Sequence, residues 1–140
     1  MRRMIPACGV LLAALALAGC GQSDEDKAQA KVCDARANIS KEVDSLKALT
    51  PATFSTESVT QSLSAIRSDL SSIKGAQSDL SDQRRSQVQS ANQAFESQIK
   101  GIAQQVATSR SAAGAKTQVT AALQQLAQTY QQTLARVDCS

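Results

Sequence analysis

Residues 54–88 read FSTESVTQSLSAIRSDLSSIKGAQSDLSDQRRSQV, and the fold turns on how many helices this stretch holds. Val59, Leu63, Ile66, Leu70 and Ile73 fall at 4-3-4-3 spacing, which is one apolar face of a helix. Ser55 is suited to cap its start. Phe54 stands just before that cap and Val59 at the fourth helical position, the layout of a hydrophobic staple. The phase then slips, because Arg84 sits on the old seam between Leu80 and Val88. Gly75 and the Ser78-Asp79-Leu80-Ser81-Asp82 segment favour a turn, with Ser81 as a new cap. A second helix from Ser55 and a third carrying Val88, Ala91, Phe95, Ile99, Ile102 and Val106 are therefore expected. The alternative is a single long central helix that fuses the two.

The same period extends in both directions. Ser23 followed by Asp24, Glu25 and Asp26 is a helix start, with a capping hydroxyl and three acids at the positive end of the helix dipole. Val32, Ala35, Ile39, Val43, Leu46 and Leu49 line one face, and Thr50-Pro51 stops the helix, since the residue before Pro is pushed out of the α region. After a polar stretch from Thr108 to Gly114, a fourth helix carries Val119, Leu123, Leu126, Tyr130, Leu134 and Val137. Strand-like alternation is absent, so the chain reads as all-α. Helices of ~20–28 residues would be ~30–40 Å long.

The first residues carry a different kind of information. Met1-Arg2-Arg3-Met4 is a short basic stretch, Ile5 to Ala18 is mostly apolar, and small residues lead into Cys20. This is the three-part layout of a secretory signal. The run is shorter than the ~20 apolar residues of a membrane span. Leu17-Ala18-Gly19-Cys20 resembles the lipobox of bacterial lipoproteins. That resemblance implies a signal peptide over residues 1–19, cleavage after Gly19, and a Cys20 carrying diacylglycerol on its thiol and acyl chains such as palmitate. Residues 20–23 then form the lipidated Cys and a short tether, and 24–140 the helical bundle. Each buried acyl CH₂ contributes ~0.8 kcal/mol, so two or three chains make attachment lasting. Gly21 stands where an Asp tends to retain such lipoproteins in the inner membrane. An extracytoplasmic location follows: the outer membrane of a diderm host, or the outer face of the single membrane of a monoderm one. The composition is also similar to that of small Ala-rich helical envelope lipoproteins of high-GC bacteria, which implies no particular activity.

Given that reading, four cysteines reduce to one pair. Cys8 leaves with the signal and Cys20 becomes a thioether, so Cys33 and Cys139 remain in a compartment that permits disulfides. Their bridge would close a loop near 100 residues, for which chain entropy gives ~4–5 kcal/mol. It also bears on the helix count. In an antiparallel up-down-up-down four-helix bundle, the start of helix one and the end of helix four share an end, which brings Cys33 and Cys139 together. A three-helix arrangement with one long central helix matches them less well.

Chemistry is sparse. The chain has no His and no Trp, one Tyr and two Phe. The commonest general base and metal ligand is thus missing, and three aromatics make no base-stacking platform. Without residues 1–19, 13 basic side chains face 12 acidic ones, a balance that offers nucleic acid no electrostatic footprint. No catalytic residue, cofactor or metal-ligand set is expected, and Asp24-Glu25-Asp26 reads as a complement to the helix dipole. Arg84-Arg85, the basic doublet, reads as exposed at the start of helix three. Phe95 and Tyr130 are the candidate lining of an apolar ligand pocket between helices, or simply core. The faces rich in Gln, among them Gln87, Gln124, Gln125, Gln128 and Gln131, offer neutral hydrogen-bonding surface to an envelope protein or a glycan.

These readings converge on a non-enzymatic, lipid-anchored bundle acting as an interaction or structural module at the membrane surface. The alternative is a carrier or sensor that holds an apolar ligand or lipid inside the bundle.

Overall fold

The computed structural model describes residues 23–108 and 113–139. The expected signal segment 1–19, the expected lipidation site Cys20 and residues 109–112 of the expected polar stretch lie outside the described residues. Those described form a bundle of four helices: α1 (Asp24–Lys47), α2 (Thr56–Ala76), α3 (Asp82–Thr108) and α4 (Ala113–Gln132). Single 3₁₀ turns follow α2 at Gln77–Asp79 and α4 at Leu134–Arg136. No strand occurs among the described residues.

Local chemistry sets most boundaries. The Ser23 hydroxyl accepts the Asp26 N–H at 3.1 Å, and the Asp26 carboxylate accepts the Ser23 N–H at 3.3 Å. This reciprocal box satisfies two donors that the first turn would otherwise leave unpaired. After α1, the Thr50 and Thr53 side chains and backbones close a turn on each other, with Thr50 N–H donating to the Thr53 hydroxyl at 2.9 Å. Ser55 caps α2 by accepting the Ser58 N–H at 3.4 Å, and half-buried Phe54 packs against the core.

The fused central rod does not form. α2 ends at Ala76, and Leu80 turns to extended backbone with its side chain 3% exposed. Arg85 holds the break open. Its Nε donates to the Gln77 carbonyl at 3.1 Å, and its Nη2 to the Ser78 and Leu80 carbonyls at 3.1 and 2.9 Å. Three carbonyls of the turn thus share one guanidinium, and the Gln77 carbonyl also accepts the Leu80 N–H at 3.2 Å. The Ser81 carbonyl accepts the Arg85 N–H at 2.8 Å, which puts Ser81 at the cap position of α3.

The apolar stripes meet in one core. Of the large apolar residues between Val32 and Val137, all but Leu49 and Phe54 are buried, and Ala28, Ala35, Ala76, Ala91 and Ala127 fill the close approaches. α4 meets its two neighbours in opposite order. Along α1, Arg36 touches Tyr130 and the tail beyond α4, whereas Val43 and Lys47 share a groove with Gln124 and Ala127. Along α3, Gln87 reaches Arg136 and Phe95 meets Tyr130. α4 therefore runs against both α1 and α3. One end of the bundle gathers the start of α1, the turn after α2, the start of α3 and the tail after α4.

Candidate functional site

That end holds the residues that the sequence marks as special. Cys33, in the third turn of α1, is bonded to Cys139 in the tail, with a Cα–Cα distance of 5.7 Å across 106 positions of sequence. The tail itself corrects an expectation. The apolar period predicts α4 through Leu134 and Val137, but the helix ends at Gln132. Thr133 takes φ −119° and ψ −88°, a 3₁₀ turn spans Leu134–Arg136, and Val137 is extended. Leu134 and Val137 are buried as the period requires, at 0% and 5% exposure, but on a different backbone.

Side chains of α1 and α3 take up the tail's carbonyls. Arg36 Nη1 donates to the Val137 and Ala135 carbonyls at 2.6 and 3.3 Å. Gln29 donates to the Asp138 carbonyl at 3.2 Å, and Gln87 to the Arg136 carbonyl at 3.4 Å. The Tyr130 hydroxyl donates to the Arg36 carbonyl at 3.3 Å. Sequence reasoning missed Arg36. The available clue was spacing: Arg36 stands three residues after Cys33, hence one turn along the same flank of α1.

The Arg84-Arg85 doublet keeps about two-fifths of each side chain exposed, as its place at the start of α3 suggests, but both guanidinium groups also have protein partners. Arg84 reaches across to α1, where its Nη1 lies 3.5 Å from Glu25 Oε1 and hydrogen-bonds Gln29 Oε1. Glu25 also accepts the Ser81 N–H at 3.3 Å. Arg85 is occupied by the turn before α3. The acids at the start of α1 likewise divide their work: Asp26 closes the capping box, Glu25 ties α1 to α3, and Asp24 lies 3.8 Å from Lys27. Among the described residues, no group of three or more His, Cys, Asp and Glu side chains is placed to hold a metal ion.

Phe95 and Tyr130 do come together, edge to face, with ring centroids 6.1 Å apart and planes at 68°. Phe95 is 0% and Tyr130 5% exposed. The edge-to-face arrangement is the favoured geometry for aromatic quadrupoles. Beside them in α3, Asn92 is 2% exposed and its side-chain oxygen has no partner, a buried polar group that apolar periodicity gives no means to anticipate.

The larger concavities are shallow grooves between helices. One of about 340 Å³ separates α1 from α4 and is lined by Val43, Asp44, Lys47, Gln124, Gln128 and Gln131. It places two of the charged residues of α1 opposite the neutral amides of α4. No helix among the described residues is long and apolar enough to cross a membrane. Comparison of the chain with protein-family models, with curated proteins and with solved structures finds no match.

Proposed function

We propose that the protein is a lipid-anchored bundle of the cell envelope, attached through Cys20, which presents its helical faces to partners at the membrane surface without carrying out a reaction. The observation that carries this reading is the position of the first helix. α1 starts at Asp24 with Ser23 as its cap, so Cys20 precedes the folded bundle by three residues. At ~3.5 Å per residue such a tether reaches ~10 Å, and the bundle rests against the bilayer rather than ranging far from it. The end nearest the anchor is the one bearing the Cys33–Cys139 bond. Partners are therefore sought among proteins or glycans at that surface. The uncharged Gln side chains of α4 supply donors and acceptors without selecting for a highly charged partner.

Fractionation of the native host tests the anchor. The wild-type chain is expected with the membranes, and Cys20→Ser in the soluble extracytoplasmic fraction. Equal membrane retention of both would overturn the reading. Native mass spectrometry of Cys20→Ser then separates module from carrier. A bare chain is expected, and a lipid-sized adduct lost on denaturation would replace the module with the carrier.

A further inference from the structure

A second stripe runs beside the buried seam of α2. Thr60, Ser64, Arg67, Ser71 and Lys74 fall at 4-3-4-3 spacing, each one position after a residue of the Val59–Ile73 seam. All five are exposed. They share one edge of the helix, so hydroxyls and cations follow each other along it for ~21 Å. The stripe borders the groove between α2 and α3, two adjoining hollows of about 210 Å³ each that share Arg67. On the α3 side stand Glu96, Lys100, Ala103 and Ala107. Three cations thus meet one carboxylate, and Lys100 already holds it, with Nζ 3.1 Å from Glu96 Oε1. The grooves along α1 are charged differently. Between α1 and α4, Lys47 balances Asp44, and between α1 and α2, Asp34 and Asp69 outnumber Lys31.

The fold leaves the polar ends of this stripe unused. Arg36, Arg84 and Arg85 are each held by groups of the protein. Among the described residues, neither Arg67 nor Lys74 has a carboxylate within ion-pair distance. The Thr60 and Ser72 hydroxyls turn back to the carbonyls of Thr56 and Ser68 at 2.7 and 3.2 Å, whereas Ser64 and Ser71 make no such bond. We propose that the α2–α3 groove binds a linear acidic glycan. Arg67 and Lys74 pair with carboxylates of the polymer, and Ser64 and Ser71 hydrogen-bond its hydroxyls. The length of the stripe suits an extended ligand rather than a compact anion. Ala103 and Ala107 leave room for sugar rings on the α3 side. A single-stranded nucleic acid would need aromatic faces to stack on, and no aromatic residue lines this groove. A peptide would need a pocket for an apolar anchor. Here the floor of Leu63, Leu70 and Val106 is closed, at 3%, 3% and 5% exposure. The ligand class rests on the envelope location proposed above, where the chain would meet such a polymer.

Titration of the full mature chain bearing Cys20→Ser with oligogalacturonate, followed through amide chemical shifts, tests this. Shifts are expected at 60–74 and 96–107 and not along the α1–α4 groove, with binding that weakens as salt rises. Arg67→Gln/Lys74→Gln should weaken binding roughly tenfold. Ser64→Ala/Ser71→Ala should weaken it roughly threefold. Lys31→Gln/Lys47→Gln, which removes the same charge from α1, should change it by less than about twofold. Each of these side chains is exposed, so the variants keep the fold. Absence of binding would overturn the proposal, as would equal binding of neutral dextran or an equal loss in Lys31→Gln/Lys47→Gln. Inorganic phosphate binding as tightly as the oligomer would also overturn it, leaving a compact anion site. Phosphatidylglycerol vesicles that shift the stripe where the oligomer does not would make it a membrane face instead. The lipid anchor takes no part in this titration. Failure here therefore leaves the anchor standing, and the fractionation of Cys20→Ser judges the anchor alone.

Discussion

α1 and α4 lie side by side, run in opposite directions, and differ in almost everything else. α1 has 24 residues, eleven of them charged, and α4 has 20 with Lys116 as its one charge. Both bury a stripe of comparable size: Val32, Ile39, Val43 and Leu46 on one, Val119, Leu123, Leu126 and Tyr130 on the other. Their free ends are decided differently. The start of α1 is fixed by groups within one turn, Ser23 and Asp26. The end of α4 is fixed by groups roughly a hundred residues away in sequence, Cys33, Arg36 and Gln29. The contrast separates two jobs of a sequence. Apolar period says which side chains are buried, and local polar groups or distant partners say what backbone carries them there.

Breaking the distant constraint is expected to cost most. Cys139→Ser should lower stability by about 4 kcal/mol, mainly by relaxing the unfolded chain. Denaturant unfolding with and without reductant reads it. An unchanged midpoint would mean that the bond adds no net stability.

Equal truncations of the two stripes come next. Ile39→Ala in α1 and Leu123→Ala in α4 both remove fully buried side chains, so each should cost about 3 kcal/mol. A much smaller loss at Leu123 would show that the Gln-rich helix packs loosely, and would end the parity claimed for the two stripes.

Removing the local constraint has a milder effect. Ser23→Ala should cost about 1 kcal/mol and fray the first turn of α1, visible as faster amide exchange at Asp26. No change there would transfer the start of α1 to the Glu25–Arg84 contact. At the bottom of the scale, Gln124→Ala and Gln128→Ala on the exposed face of α4 should each change stability by less than about 0.5 kcal/mol. A larger loss would mean that the neutral face is structural rather than free for a partner.

Much of the fold is legible because its determinants are local. The seam from Val59 to Ile73, the caps at Ser23 and Ser55, and the break marked by Arg84 on an apolar position each sit within a few residues of what they control. Even the Cys33–Cys139 pairing follows from counting cysteines once Cys8 and Cys20 are set aside. The backbone of the tail is not legible, because Leu134 and Val137 continue the helical period and no Gly or Pro interrupts it. The partners of Arg84 and Arg85 are not legible for a related reason. A basic doublet at a helix start looks solvated until Glu25, Gln29 and the carbonyls of Gln77, Ser78 and Leu80 are placed around it. Phe95 and Tyr130 are correctly set on facing seams, but a seam does not distinguish the wall of a pocket from a filled core. The structure adds that the two rings meet edge to face.

On the function proposed above, one end of the bundle is both anchored and clasped, through Cys20 on one side and Cys33–Cys139 on the other. Intact mass of the wild-type protein, extracted from host membranes without reductant, tests both halves at once. The expected product is a chain that begins at Cys20, carries the mass of its acyl groups, and weighs about 2 Da less than the reduced form, the two hydrogens given up to one disulfide. A chain that retains residues 1–19, an unmodified Cys20, or a mass that does not rise on reduction would contradict it.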